Sequence, residues 1–229
     1  FVMYALGNEL GRRTTVDDVF DQLHADIVTL KLEPGTRMSE VEIAGQFNIS
    51  RQPVREAFIR LSNMRLLEIR PQRATLVRKI SQSHILNSRF IRTAVEVEVI
   101  RRACASKTDL DKVSFDDNLA RQKLCVDNMN VDEFHDLDYA FHHLICRAGD
   151  AEFAFETIAG NKAHVDRLCM IQLSSQAALS EVREDHAEIY DLLKKRDEAG
   201  TIKLIRHHLN RLDQTLNAAR ESHSDYFED

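Results

Sequence analysis

Asp138 and His142 stand four residues apart in the stretch VDEFHDLDYAFHHLICRA (131–148), the spacing that turns two side chains to one side of a helix. The core stripe of that helix is Phe134, Leu137, Phe141, Leu144, Ile145 and Ala148, and the pair lies at its edge, whereas His143 falls with Asp136 and Arg147 on the polar side. In 181–196, His186 aligns with Val182, Ile189 and Leu193. In 198–221, His208 groups with Leu204, Ile205 and Leu212, and His207 groups with Lys203, Asn210 and Gln214 and belongs in water. One carboxylate and three imidazoles therefore face inward from three helices. Burying them without partners is costly. A divalent cation would satisfy all four, and helical bundles build such sites from facing helices. The donor set suits Zn, Ni, Mn or Fe(II). A histidine on an apolar face is more often a core residue, and periodicity alone does not bring four side chains to one point.

A second group has nucleic-acid chemistry. Ser50, Arg51, Gln52 and Arg55 open the helical stretch RQPVREAFIRLSNM, with Val54, Phe58 and Leu61 turned to the core. Arginine matches guanine O6 and N7, and glutamine matches adenine N6 and N7. Residues 49–80 hold eight basic residues against Glu56 and Glu68. The net charge of −6 hides this concentration, because residues 81–229 carry 19 Lys+Arg against 27 Asp+Glu while residues 1–80 carry 12 against 10. Clustered positive charge is what phosphate contact requires. The plain alternative is a surface helix whose arginines pair with Glu56.

The elements that position these groups read as mainly α. Residues 15–31 form an amphipathic helix through Val16, Val19, Phe20, Leu23, Ile27 and Leu30, with Thr15 as its N-cap and a stop at Pro34-Gly35. Ser39 opens a short helix, with Glu42 placed as in a capping box. A turn at Asn48-Ile49 leads to Ser50 as the next N-cap and to Pro53 in the first helical turn, the outline of a helix-turn-helix. Leu66–Val77 gives two short extended runs around Pro71-Gln72-Arg73, a hairpin wing whose Arg73 reaches either the minor groove or phosphate. Beyond Ser83 the pattern is helical, over roughly 83–106, 108–128, 131–148, 151–178, 181–196 and 198–221, with Thr108, Asp150, Ser180 and Asp197 near the breaks. The expected architecture is an N-terminal winged helix-turn-helix with a tail (1–80) and a C-terminal all-α bundle (81–229), joined near Lys79–Gln82.

Composition narrows the class. Hydrophobic residues are 43% and charged residues 30%, with 7 Gly, 3 Pro and no Trp, which suits long helices better than a turn-rich sandwich. No apolar run is long enough to span a bilayer. The opening FVMYALGNELGRR lacks a basic segment before its apolar part and does not read as a signal peptide. Cys104, Cys125, Cys146 and Cys169 form no C-x-x-C pair, so free thiols and a reducing cytoplasm are expected.

The segment Leu32–Val77 resembles the winged-helix domain of the GntR family of bacterial regulators, through its P-G turn, the S-E opening the second helix and Ser50-Arg51-x-Pro53-Val54-Arg55-Glu56-Ala57. The resemblance implies that Arg51 and Arg55 contact operator DNA. Two departures fall at the wing: Arg65 and Ala74 stand where the family usually has glycine. Residues 83–220 resemble the FCD ligand-binding domain of the FadR branch, through F-I-R-T-A-V-E (Phe90–Glu96), Asp138-x-x-x-His142, E-D-H-A-E-I (Glu184–Ile189) and R-H-H-L (Arg206–Leu209). Asp150 stands where that domain often has Asn. That resemblance implies a divalent metal on Asp138, His142, His186 and His208, with Arg92 lining the same site and pairing with an effector carboxylate. The expectation is a cytoplasmic, homodimeric, metabolite-responsive transcription regulator, bound to a palindromic operator and not to membrane. Its rivals are a metal-dependent hydrolase using Glu184 or Asp185 as base, and a metal-free regulator of the same fold.

Overall fold

The computed structural model describes residues 14–70, 73–172 and 175–228, the side chains of 172 and 212–215 excepted. The opening FVMYALGNELGRR segment and the wing residues Pro71 and Gln72 lie outside the described residues. Helix α1 (Thr15–Val28) is capped by Thr14, one residue before the expected Thr15, in a reciprocal box with Asp17. It ends at Val28, earlier than expected, because the chain reverses at Leu30 with φ 60°. Helices α2 (Glu40–Phe47) and α3 (Arg51–Asn63) follow, separated by Asn48 in the left-handed region at φ 53°. Val54, Ala57, Phe58 and Leu61 of α3 pack on Val19, Phe20, Leu23 and Ile27 of α1 in one apolar cluster.

The wing strands β2 (Leu67–Glu68) and β3 (Thr75–Val77) pair antiparallel, with Leu67 opposite Val77. A third strand, β1 (Arg37–Met38), pairs with the other edge of β3 and gives the order β1-β3-β2. Two residues are too few to show a period of two, so this strand left no signal in the sequence. Arg65 takes the left-handed conformation, φ 58°, that a glycine would take freely. Its amide caps Ser62 while Leu66 N–H donates to Leu61 O, and this closes α3.

The helical region comprises α4 (Gln82–Ala105), α5 (Lys112–Asn128), α6 (Val131–Ala148), α7 (Phe155–Gln172), α8 (Gln176–Lys194), α9 (Glu198–Asn210) and α10 (Leu212–Ser222). Several boundaries differ from expectation, α7 among them, which begins at Phe155 after a 3-10 turn over Glu152–Ala154 and not at 151. Ser175, not Ser180, caps α8 by accepting from Ala178 N–H, so α7 stops before the expected 178. The stretch 198–221 divides at Arg211 into α9 and α10. Asp111, not Thr108, caps α5, and Asp150 caps nothing but turns the chain at φ 48°. Asp197 caps α9 as expected. A Cβ on Gly149 would lie 2.8 Å from Val99 O, so the end of α6 approaches α4 only because that residue is glycine. The core between these helices includes Ile100, Phe115, Phe141, Ile189 and Tyr190, with Phe115 and Tyr190 stacked at 4.7 Å.

Helix α7 touches both halves. Ala163 belongs to the apolar cluster of α1 and α3, and Arg167 donates to Arg78 O at 2.5 Å. The expected junction is not a loose linker: Ile80 is buried and pairs with Phe227 in a parallel bridge, held by Ile80 N–H to Tyr226 O at 2.7 Å. Cys125 and Cys146 are buried free thiols, and Cys104 and Cys169 are partly buried ones. Among the described residues no helix is long and apolar enough to cross a membrane.

Candidate functional site

Four side chains from three helices converge inside the bundle. Asp138 and His142 come from α6, His186 from α8 and His208 from α9, and one donor atom from each lies within 4.8 Å of all the others. His142 and His186 are buried at 2% and 0% exposure. Asp138 Oδ1 stands 3.3 Å from His186 Nε2 and 4.0 Å from His142 Nε2.

Each of the three imidazoles has an acceptor from another residue close to its Nδ1. His142 Nδ1 lies 2.8 Å from Glu96 Oε2, His186 Nδ1 2.9 Å from Gln122 Oε1, and His208 Nδ1 3.2 Å from Asp185 Oδ2. Gln122 is itself oriented, since its Nε2 donates to Asn118 Oδ1 at 2.7 Å and Asn118 Nδ2 donates to Leu137 O at 3.0 Å. Arg211 grips both oxygens of Asp185. An acceptor beside Nδ1 favours the tautomer whose lone pair is on Nε2, the form in which an imidazole ligates a metal through that nitrogen. The Phe141 ring stacks on His186 at 4.2 Å and fixes its plane. His186 Nε2 is buried without a hydrogen bond. Burial holds the His186 imidazole near pKa 4 and lowers His208 as well, so both rings are neutral ligands at neutral pH. The residues present fit a divalent cation by number, donor type and outer polar partners.

The carboxylate of Asp138 has a second partner that sequence reasoning missed. Lys162 of α7 places Nζ 2.8 Å from Asp138 Oδ2 and 2.5 Å from Asp166 Oδ1. Burial alone would raise the Asp138 carboxyl, but the Lys162 ammonium beside it outweighs burial and helps hold it well below the usual range. Asp166 also accepts from Tyr139 OH and lies 3.3 Å from His135 Nε2. Arg92 sits beside the cluster, with Nη2 3.4 Å from His142 Nε2. It already has a carboxylate partner within the chain: its Nε donates to Glu96 Oε1 at 2.9 Å, inside the bundle at 3% exposure. Glu96 could have been found, because Arg92 and Glu96 are one helical turn apart on the buried stripe of α4. Lys162 had a similar signal in its i,i+4 relation to Asp166. Glu184 is exposed and Asp185 is locked by His208 and Arg211, so neither stands as a general base.

The second predicted site lies on α3. Ser50 occupies the N-cap position, yet its side chain makes no cap hydrogen bond. Arg51, Gln52 and Arg55 are exposed. The arginines do not pair with Glu56, which instead accepts from Gln52 at 2.9 Å. Both reach Glu40 of α2, with Arg51 Nη2 at 2.8 Å from Oε2 and Arg55 Nε at 3.0 Å from Oε1. Arg73 is exposed beside the wing strand β3.

Comparison with known proteins bears on both sites. Residues 15–77 match the profile of bacterial regulatory proteins of the gntR family, and residues 89–211 match the FCD domain. The HTH-type transcriptional repressor RspR of Escherichia coli K12 is 36% identical over 209 residues, covering 91% of this chain and 92% of RspR. The gluconate operon transcriptional repressor of Bacillus subtilis is 30% identical over 184 residues, covering 80% and 74%. Among solved structures, E. coli McbR/YncC superposes with a TM-score of 0.77 at 19% identity, covering 93% of this chain and 100% of that one. A GntR regulator from Rhodococcus sp. RHA1 gives 0.74 at 21% identity, covering 89% and 98%. These two likenesses speak to the fold. The chain belongs to the gntR family of bacterial regulatory proteins, as a DNA-binding transcription regulator with an FCD domain and not an enzyme.

Proposed function

We propose that this regulator responds to a small organic acid or sugar acid sensed at a divalent metal in its helical half. The observation that carries the reading is the convergence of three imidazoles and one carboxylate inside the bundle. One donor atom from each of Asp138, His142, His186 and His208 lies within 4.8 Å of the others, and each Nδ1 stands 2.8–3.2 Å from an acceptor on a neighbouring residue. Core histidines packed for stability alone have no need of that shared geometry. When bound on Asp138, His142, His186 and His208, Zn, Ni, Mn or Fe(II) would supply a Lewis-acidic centre for effector oxygens. Arg92, held by Glu96 along its Nε edge, offers the effector carboxylate its remaining edge by charge-assisted bonds.

In this reading residues 1–80 bind DNA and residues 81–229 sense. Ser50, Arg51, Gln52 and Arg55 address base edges in the major groove, and Arg73 contacts the backbone or minor groove. Two copies form a homodimer on a palindromic operator with half-sites about one helical turn apart, in the cytoplasm. Helix α7 supplies the physical route between the sites. Its Lys162 pairs with the ligand Asp138, and its Ala163 packs in the core beneath α3. A change at Asp138 therefore acts on the element that seats the DNA-reading half.

The test uses tag-free, full-length protein and a duplex selected from a randomised pool. Fluorescence anisotropy is read with and without a panel of small organic and sugar acids, with metal supplied. At least one acid is expected to change operator Kd by about 5- to 150-fold. Arg92→Ala should abolish that response while keeping operator affinity. No response from any acid, with the operator still bound, would contradict the sensing half of the reading.

A further inference from the structure

Glu40 stands at the first position of α2, yet its carboxylate reaches across the turn to both arginines of α3. Oε1 accepts from Arg55 Nε at 3.0 Å, and Oε2 accepts from Arg55 Nη2 at 3.0 Å and Arg51 Nη2 at 2.8 Å. The arginine side chains stay 58% and 51% exposed, while Glu40 is only 24% exposed. The acid is the enclosed partner and the two forks remain open to solvent. Hydrogen bonds from Arg55 and Arg51 lower the Glu40 carboxyl to about 2, so it stays ionised wherever the protein works.

The stereochemistry leaves room for DNA. A guanidinium has five N–H donors in one plane. Arg55 gives Glu40 its side edge, Nε with one hydrogen of Nη2. The end-on edge, Nη1 with the second hydrogen of Nη2, remains, and guanine O6 and N7 take such a donor pair. Arg55 can hold Glu40 and a guanine together. Unheld, two like charges one helical turn apart repel, and each long side chain keeps large rotamer freedom. A carboxylate shared between them removes both effects before binding. It also leaves the arginines less net charge to offer to phosphates of any sequence.

We propose that Glu40 is a specificity-determining residue: a positioning carboxylate that aims Arg51 and Arg55 at base edges while weakening sequence-independent binding. This rests on the reading of α3 as the DNA-reading helix. Ser39, which accepts from Glu42 N–H, caps α2 independently of Glu40.

The experiment selects a duplex from a randomised pool with the full-length wild-type protein. It then measures Kd for that duplex and for a scrambled one, for wild type, Glu40→Gln and Glu40→Asp. Glu40→Gln removes the charge. Glu40→Asp keeps a negative charge in the first turn of α2 but is one methylene too short to hold both arginines. In both variants the ratio of scrambled to selected Kd should fall by roughly 10-fold, on the scale of one bidentate base contact. Binding to the scrambled duplex should be unchanged or tighter. Ratios within about 2-fold of wild type in both variants would overturn the proposal. So would a wild-type ratio in Glu40→Asp alone, which would reduce Glu40 to a helix-end charge. If wild type selects no sequence at all, the reading of α3 falls and the role of Glu40 falls with it.

Discussion

His208 is the proposed ligand most open to a clean test, because it is the one residue of the four that is not fully buried. His208→Ala is expected to weaken metal binding and the effector response while leaving operator affinity without effector largely intact, as read by calorimetric metal titration and anisotropy on the same sample. Collapse of the fold, seen as loss of the helical circular dichroism signal, would assign the histidine to core structure instead. At this scale the sequence told which residues face inward, since helical periodicity separates His142 from His143 and His208 from His207. It did not tell what turns the rings. Glu96, Gln122 and Asp185 come from three other positions on α4, α5 and α8, and only tertiary packing brings them to Nδ1. Asp138 shows the same limit. Its i,i+4 partner His142 was legible, whereas Lys162 lies on a different helix with no local pattern linking the two.

The helices of the bundle were legible wherever an apolar stripe ran long, as in α4 and α6. They were misread where no strong breaker marks the end. QLSSQAALS holds three serines and no glycine or proline, so Ser180 looked as good a cap as Ser175. The α9–α10 break at Arg211 carries no breaker either. Helix α7 adds a feature that no periodicity announces, a seam of histidines where it meets α1. His24 of α1 and His164 of α7 are both held near pKa 4, chiefly by burial. Asp166 raises His24 while His135 and His164 lower it further. Arg167, His84 and Arg65 lower His164, against a hydrogen bond to the Met64 backbone. Both pKa values are depressed in the fold, so the unfolded chain takes up protons between about 6.5 and 4 that the folded chain refuses. Their contribution to stability is full above pH 6.5 and is lost as pH falls toward 4, by about 1.4 kcal/mol per pH unit for each group. Urea midpoints measured at pH 7 and pH 5 should therefore drop on acidification, and drop less in the His24→Gln/His164→Gln variant. Equal drops in the two proteins would contradict this assignment.

Across the molecule, charge is divided as the proposed function requires: α3 presents exposed arginines, and the excess acid lies in the helical half. The two halves meet on α7, and Phe227 pairs with Ile80 at their junction, so the proposed sensing and reading sites are joined through packed elements. The account as a whole stands on the four donors inside the bundle being a metal seat. The most direct measurement is the metal content of tag-free protein as isolated, by mass spectrometry of the elements, for wild type and His186→Ala. Wild type should hold close to one divalent ion per chain, with the variant well below it. Less than about 0.2 ion per chain in wild type, unchanged by His186→Ala, would contradict the account.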